Sequence, residues 1–296
     1  MIITIWLLGG LAAVTPSIVN AQVIVAQSRG NSINSPYKRS QQLNKLLQEG
    51  RKLLDAGNYS GAIARYQQAA KLSPRNARIF AIIGYLQARQ ENFQAAVAAY
   101  QQAVALAPNY PAFHYALGYS LANIGRNTEA LAAYRRTIEL APNHLNAYLG
   151  LGVVLLRQGD YDGAVWAYQR VFSVDPKNAS AYELMGTMLM QQGRSEEAIA
   201  ALQKAAVLDP NNTSVLSNLA AAWVNRGNIT AALMTLRQAA QLEPRNGKVY
   251  LQIGEILRYQ NDIDGAIDAY QRALSVQPNL VEAQEAMSDI LKQKKL

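Results

Sequence analysis

The residues that could do chemistry are few, and their spacing does not favour it. The chain has no cysteine, which removes disulfides, thiolate metal sites and cysteine nucleophiles. It has two histidines, His114 and His144, too few for a histidine-based catalytic or metal centre. His114 stands in an apolar helical stretch and is expected to be a packed core residue. His144 follows Asn143 in a turn and is expected to face solvent. Asp160 and Asp162 are turn and helix-start residues with no third carboxylate nearby at metal-ligand spacing. Asn58, Asn178, Asn211 and Asn228 each begin an Asn-x-Ser/Thr triplet, a pattern that an Asn-rich turn sequence produces by chance. No phosphate loop, dinucleotide fingerprint, nucleophile elbow or zinc pattern is present. The expectation is no catalytic residue, no metal, no cofactor and no small-molecule substrate.

The spacing that does recur concerns how elements are positioned. Pro74, Pro108, Pro142, Pro176, Pro210, Pro244 and Pro278 stand 34 residues apart without slippage. Such a period means one supersecondary unit stacked repeatedly. From Leu43 the units run 43–76, 77–110, 111–144, 145–178, 179–212, 213–246 and 247–280. Each holds two amphipathic helical patterns joined by a short turn. Gly57, Gly125, Gly159, Gly193 and Gly227 mark that turn at the fifteenth position, where a left-handed residue ends a helix cheaply. Asn58, Asn92, Asp160, Asn228 and Asp262 follow, suited to capping the second helix. The proline lies beyond that helix, which it could not continue.

Small residues explain how the two helices meet. Gly50, Gly84, Gly118, Gly152, Gly186, Ala220 and Gly254 occupy the eighth position. Ala62, Ala96, Ala130, Ala164, Ala198, Ala232 and Ala266 occupy the twentieth. Together they predict a close approach that a branched side chain would spoil. Tyr66, Tyr100, Tyr134, Tyr168, Leu202, Leu236 and Tyr270, at the twenty-fourth position, fill the seam. With an aromatic at seventeen (Tyr59, Phe93, Tyr161) and alanine at twenty-seven (Ala69, Ala103, Ala205, Ala239, Ala273), the pattern resembles the tetratricopeptide repeat (TPR) family over residues 43–280. Thr137, Val171, Asn127 and Ser195 depart from it locally. Residues 281–296 carry one apolar stripe and one charged face, fitting the terminal helix that caps a solenoid.

The resemblance implies an all-α, right-handed TPR solenoid whose concave groove, lined by first helices, binds a protein partner. The lining positions of the second to fourth units offer Arg78, Tyr85, Arg89, Tyr115, Tyr119, Asn123, Asn146, Leu149, Val153 and Arg157. Small neighbours such as Gly150 would leave room for a guest side chain, and Tyr and Arg are frequent at binding hot spots. Packing of the same tyrosines across adjacent repeats is the competing reading. The carboxylate clamp of chaperone-binding relatives is not expected. Only Asn218 and Lys248 match it, while Thr187 and Gln252 do not and Glu183 would repel a carboxylate.

The formal charge of +8 is unevenly placed. Residues 1–80 hold ten basic side chains against Glu49 and Asp55, and the remainder is balanced. This suggests attraction to an anionic membrane surface near the N-terminus. Nucleic acid is not expected, because no aromatic platform alternates with the basic residues. Residues 1–27 read either as an uncleaved anchor, with the following positive charges keeping the repeats cytoplasmic, or as an export signal cut after Ala21. Residues 28–42 read as a flexible basic linker. This layout is similar to the cyanobacterial TPR proteins that assist photosynthetic-membrane assembly. That likeness implies a thylakoid anchor and a client such as an enzyme of chlorophyll synthesis. Secretion to the periplasm or lumen as an adaptor, and self-association, are the other readings; an enzyme finds no support in the residues.

Overall fold

The computed structural model describes residues 36–294, and every regular element among them is α-helical. The first four helices are α1 (Pro36–Asp55), α2 (Tyr59–Leu72), α3 (Ala77–Arg89) and α4 (Phe93–Leu106). Then come α5 (Pro111–Asn123), α6 (Asn127–Leu140), α7 (Leu145–Arg157) and α8 (Tyr161–Val174). Next are α9 (Ala179–Gln191), α10 (Ser195–Leu208), α11 (Thr213–Asn225) and α12 (Ile229–Leu242). The series ends with α13 (Gly247–Tyr259), α14 (Ile263–Val276) and α15 (Val281–Lys294). The chain divides into two compact units, Met1–Val154 and Leu155–Leu296. None of the described helices is long and apolar enough to cross a membrane. The apolar segment 1–27 lies outside the described residues, so neither the anchor nor the export reading is met by the structure.

One turn joins the helices of each pair, whatever residue occupies it. Gly57, Gly125, Gly159, Gly193 and Gly227 all have φ between 71° and 80°. Glu91 and Asn261 hold the same position in their own repeats at φ 61° and 63°, against the usual steric preference of an L-residue. The following amide then reaches back into the helix, as in Asn58 N–H to the Leu53 carbonyl at 2.8 Å and Asn92 N–H to Gln87 at 2.9 Å. The next helix is capped by the turn's own side chain. Asn58, Asp160, Asn228 and Asp262 accept from the amides of Gly61, Gly163, Ala231 and Gly265. Asn92 makes no such bond.

The twentieth-position alanines are all fully buried, each at 0% exposure. What lies against the eighth-position glycine is a tyrosine ring at Gly50, Gly84, Gly118 and Gly254, and Leu202 at Gly186. A Cβ on Gly84 would stand 2.9 Å from the Tyr100 ring, and one on Gly254 would stand 2.4 Å from Tyr270. Where alanine replaces that glycine, at Ala220, the facing residue is Leu236 and not tyrosine; both are buried. A ring at this seam therefore goes with glycine, whereas leucine faces either glycine, at Gly186, or alanine, at Ala220. In the first unit Leu46, Ile63, Tyr66, Ile79, Ile83 and Leu86 form one core cluster, and Ala81, Tyr100, Phe113 and Ala116 form another. In the second unit Ala283 and Ile290 of α15 are buried against neighbouring helices, whereas Val281 and Leu291 of its apolar stripe stay exposed.

The first helix departs from the sequence reading. It begins at Pro36, so residues 36–42, read as tether, are helical. The cause is local. The Arg39 guanidinium donates twice to the Leu72 carbonyl, from Nε at 2.9 Å and Nη2 at 2.6 Å, closing the end of α2. One of the basic side chains assigned to a membrane surface thus satisfies a helix C-terminus instead.

Candidate protein-interaction face

First helices α3, α5 and the leading part of α7 carry the residues expected to meet a partner in the first unit. Their sequences place a small residue near each crossing and long side chains on the free side, which decides what stays exposed. Arg78, Arg89, Asn123 and Asn146 are exposed, and Tyr85, Tyr119 and Val153 are half-buried. Arg157 is exposed and belongs to the second unit.

Two of the expected residues are interior. Tyr115 is 5% exposed and Leu149 is 8% exposed, so neither offers a surface to a partner. The Tyr115 ring packs at 4.8 Å from His144 and 6.0 Å from Tyr134. Burial pushes its hydroxyl up to about 12. Gly150 leaves no guest space either. A Cβ there would stand 2.5 Å from Tyr134 Cζ, so the room it makes is filled by the protein's own ring. The competing reading, tyrosines packed between repeats, therefore holds at Tyr115.

The remaining side chains are organised by the aromatic at position seventeen of the preceding repeat. Arg89 donates to the Tyr59 hydroxyl at 3.1 Å and lies 5.7 Å from that ring's centroid, a cation–π arrangement. Tyr119 meets Phe93 edge-on at 6.0 Å, a favoured quadrupole geometry. Asn123 Nδ2 donates to the Tyr119 carbonyl at 2.8 Å. The Arg89 and Tyr119 contacts cross from one repeat to the next and hold these two side chains in place, so a partner would meet them preorganised.

The histidines take different places. His114 is 8% exposed, and its Nε2 stands 2.7 Å from the Pro108 carbonyl, which can only accept; the proton is therefore on Nε2. His144 is not a solvent-facing loop residue. It is half-buried, its Nδ1 accepts from the Ala147 amide at 3.1 Å, and burial lowers its pKa. It caps α7 as a neutral ring, a role that an Asn or Asp fills at other helix starts. Among the described residues no group of three His, Cys, Asp or Glu could hold a metal ion.

In the second unit the carboxyl of Glu183 is 5% exposed and sits between α9 and α11. Its Oε1 accepts from Ser214 Oγ at 2.9 Å and Asn218 Nδ2 at 3.1 Å, while Oε2 is buried without a partner. Burial raises its pKa, and the two hydrogen bonds offset this only in part. Asn218, one of the two matches to a carboxylate clamp, is thus committed to an internal acid. Sequence alone reads Glu183 as an acid that would repel a carboxylate; its pairing with Asn218 on the next first helix was the signal available for burial.

A family model described as the Cilia and flagella-associated protein 70 C-terminal domain matches residues 37–291. No curated protein matches the chain. Among solved structures, a tetratricopeptide repeat protein from Parabacteroides merdae is 17% identical with a TM-score of 0.72, covering 85% of this chain and 99% of that one. Yeast Tom70 is 17% identical with a TM-score of 0.64, over 88% of this chain and 55% of its own. The APC/C hetero-tetramer Cut9–Hcn1 is 18% identical with a TM-score of 0.63, over 86% of this chain and 54% of that one. At these identities the likeness is one of fold. Helix pairs with a common left-handed turn, small residues at the helix crossing and an invariant buried alanine, matched over residues 37–291 by the family model, make this chain a member of the TPR family represented by the Cilia and flagella-associated protein 70 C-terminal domain.

Proposed function

We propose that this protein is a non-catalytic scaffold that binds and stabilises a partner protein along the exposed row of first helices in its first unit. The observation that carries this reading is the set Arg78, Tyr85, Arg89, Tyr119, Asn123, Asn146 and Val153. It is rich in Tyr and Arg, and Arg89 and Tyr119 are held in place by contacts with the preceding repeat. Tyr85→Ala and Tyr119→Ala should each weaken capture of the native partner while helicity is kept. Unchanged capture would move the interface to another face.

The finer proposal is a membrane-associated scaffold, held by residues 1–27 with the repeats on the cytoplasmic side. Its client would be a photosynthetic-membrane assembly partner or an enzyme of chlorophyll synthesis. Its support is the charge placement, ten basic residues against two acidic in residues 1–80; those not engaged within the fold, as Arg39 is at the Leu72 carbonyl, would draw the N-terminal end to anionic headgroups at roughly 1 kcal/mol per residue near the surface. Mass spectrometry of the native N-terminus decides it. A chain beginning at Gln22 overturns the anchor and favours an exported adaptor.

A further inference from the structure

We propose that the first unit carries a second docking site, a cleft at its loop edge that takes an acidic segment of a partner protein with an apolar side chain beside the acid. This rests on the reading of the chain as a protein-binding scaffold and shares Arg78 with the row of first helices, while its other lining residues lie outside that row. The cleft has a volume of about 550 Å³ and is bordered by the α2–α3 loop and the α4–α5 loop. One wall is Arg75 and Arg78; the other is Tyr110 and Phe113, whose rings stack at 4.4 Å. Tyr110 is 45% exposed, so the apolar wall is open to a guest.

The charge of the occupant follows from what the cleft lacks. Arg75 and Arg78 are exposed, and neither guanidinium makes an ion pair or hydrogen bond among the described residues. No acidic residue lines the cleft. Arg136, which donates to Asn109 of the α4–α5 loop, has its own carboxylate partner in Glu139. Two unpaired arginines beside an aromatic wall are suited to a carboxylate, which a guanidinium can hold through two parallel bonds.

The second unit supplies an internal contrast. The residue before the loop proline is Ser73, Ala107 or Ala141 in the first unit; in the second it is Asp175, Asp209 or Glu243 in three of the four loops and Gln277 in the last. These acids serve their own loops. Asp175 accepts from the Lys177 amide and Asn178, Asp209 accepts from Asn212, and Glu243 accepts from Thr213 and Asn246. The cleft lined by Glu243, Pro244, Arg245 and Asn246 therefore already holds an acid beside its arginine. A negative guest would be repelled there and attracted at Arg75 and Arg78. The chain's own residues 1–35 contain no Asp or Glu, so that segment cannot be the acidic occupant.

The same contrast provides a variant that keeps the fold. Ser73 has φ −134° and ψ 69°, and Asp209 at the equivalent position has −136° and 78°. Ser73→Asp and Ala107→Asp thus install a residue that this loop accommodates elsewhere in the chain. The test uses the full chain and fluorescence anisotropy with a labelled peptide, EELLEE, and its neutral counterpart QQLLQQ. EELLEE is expected to bind at low ionic strength, at least about tenfold more tightly than QQLLQQ. Arg75→Gln with Arg78→Gln, and separately Ser73→Asp with Ala107→Asp, should each weaken it about tenfold, while Tyr85→Ala leaves it unchanged. Equal binding of the two peptides, or full binding by both double variants, overturns the proposal. Loss of vesicle binding (phosphatidylcholine with phosphatidylglycerol) in the arginine variant without any peptide affinity would assign the arginines to a lipid surface and also overturns it. So does concentration-dependent dimerisation that the arginine variant abolishes, which would make a second copy the occupant. Failure here with partner capture still dependent on Tyr85 and Tyr119 leaves the scaffold reading standing, and the reverse result leaves the cleft standing.

Discussion

Replacing Glu91 or Asn261 with glycine should stabilise the protein, while replacing the turn glycines with alanine should destabilise it. The position is the same in every helix pair. Glycine holds φ between 71° and 80° there, and Glu91 and Asn261 are held at 61° and 63°. An L-residue in the left-handed region is disfavoured by roughly 1–2 kcal/mol. Exchanging glycine for alanine also stiffens the unfolded chain by about 0.4–1 kcal/mol, which acts in the opposite direction. The difference leaves Glu91→Gly more stable by about 1 kcal/mol, and Gly57→Ala or Gly125→Ala less stable by a similar amount. Asn261→Gly should gain about half as much, because asparagine tolerates this conformation better than glutamate. The effect is cleanly conformational: a Cβ on Gly57 or Gly125 would meet nothing within 4 Å. Glu91 is exposed and takes part in none of the ion pairs of the described residues, so removing its carboxylate costs little. Urea unfolding reads the change as a midpoint shift of about 0.3 M per kcal/mol at an m-value near 3 kcal/mol/M. Alanine at Gly57 without loss, or glycine at Glu91 with loss, would refute the strain argument.

Three further outcomes follow from buried polar and packed groups. The hydroxyls of Tyr100 and Tyr168 are buried without a partner, so Tyr100→Phe should raise stability by up to about 1 kcal/mol. Tyr270→Phe should lower it by a similar amount, because Tyr270 donates to Glu255 at 2.8 Å; thermal unfolding of the three chains reads the opposite signs. Gly254→Ala should destabilise by about 1–3 kcal/mol against the Tyr270 ring, and adding Tyr270→Leu should recover part of it by copying the Ala220–Leu236 pair. Glu183 has its folded pKa raised first by burial, with Asp209 adding to the rise. Its contribution is therefore fullest below the unfolded value of about 4.3 and is lost as pH rises toward the folded value. Glu183→Gln should flatten that slope and be the more stable chain at neutral pH, as paired unfolding curves at several pH values would show.

The repeat, its turn and its invariant small residues were legible because steric rules leave single residues no alternative. Seven prolines and seven alanines in register specify helix pairs with little help from context. The turn at Glu91 and Asn261 was hidden, since only glycine advertises a left-handed residue and the tertiary repeat imposes it on the others. The groove was legible in part. Arg89 is exposed and Tyr119 half-buried, but Tyr115 and Leu149 turned inward. Position counting could not show that Gly150 admits the Tyr134 ring and that His144 covers Tyr115. Both facts depend on side-chain volume from a neighbouring helix. The bond of Arg39 was hidden for a related reason: a positive charge in sequence does not say which carbonyl it will reach.

Photo-crosslinking in the native cell tests the central claim most directly. A benzoylphenylalanine would be placed at Tyr119 or Asn146 on the first-helix row, and at Val207, which is 76% exposed on a second helix. The scaffold account predicts that Tyr119 and Asn146 trap one and the same protein while Val207 traps none of it. Capture of a protein from Val207 alone, with nothing from the row, would contradict it.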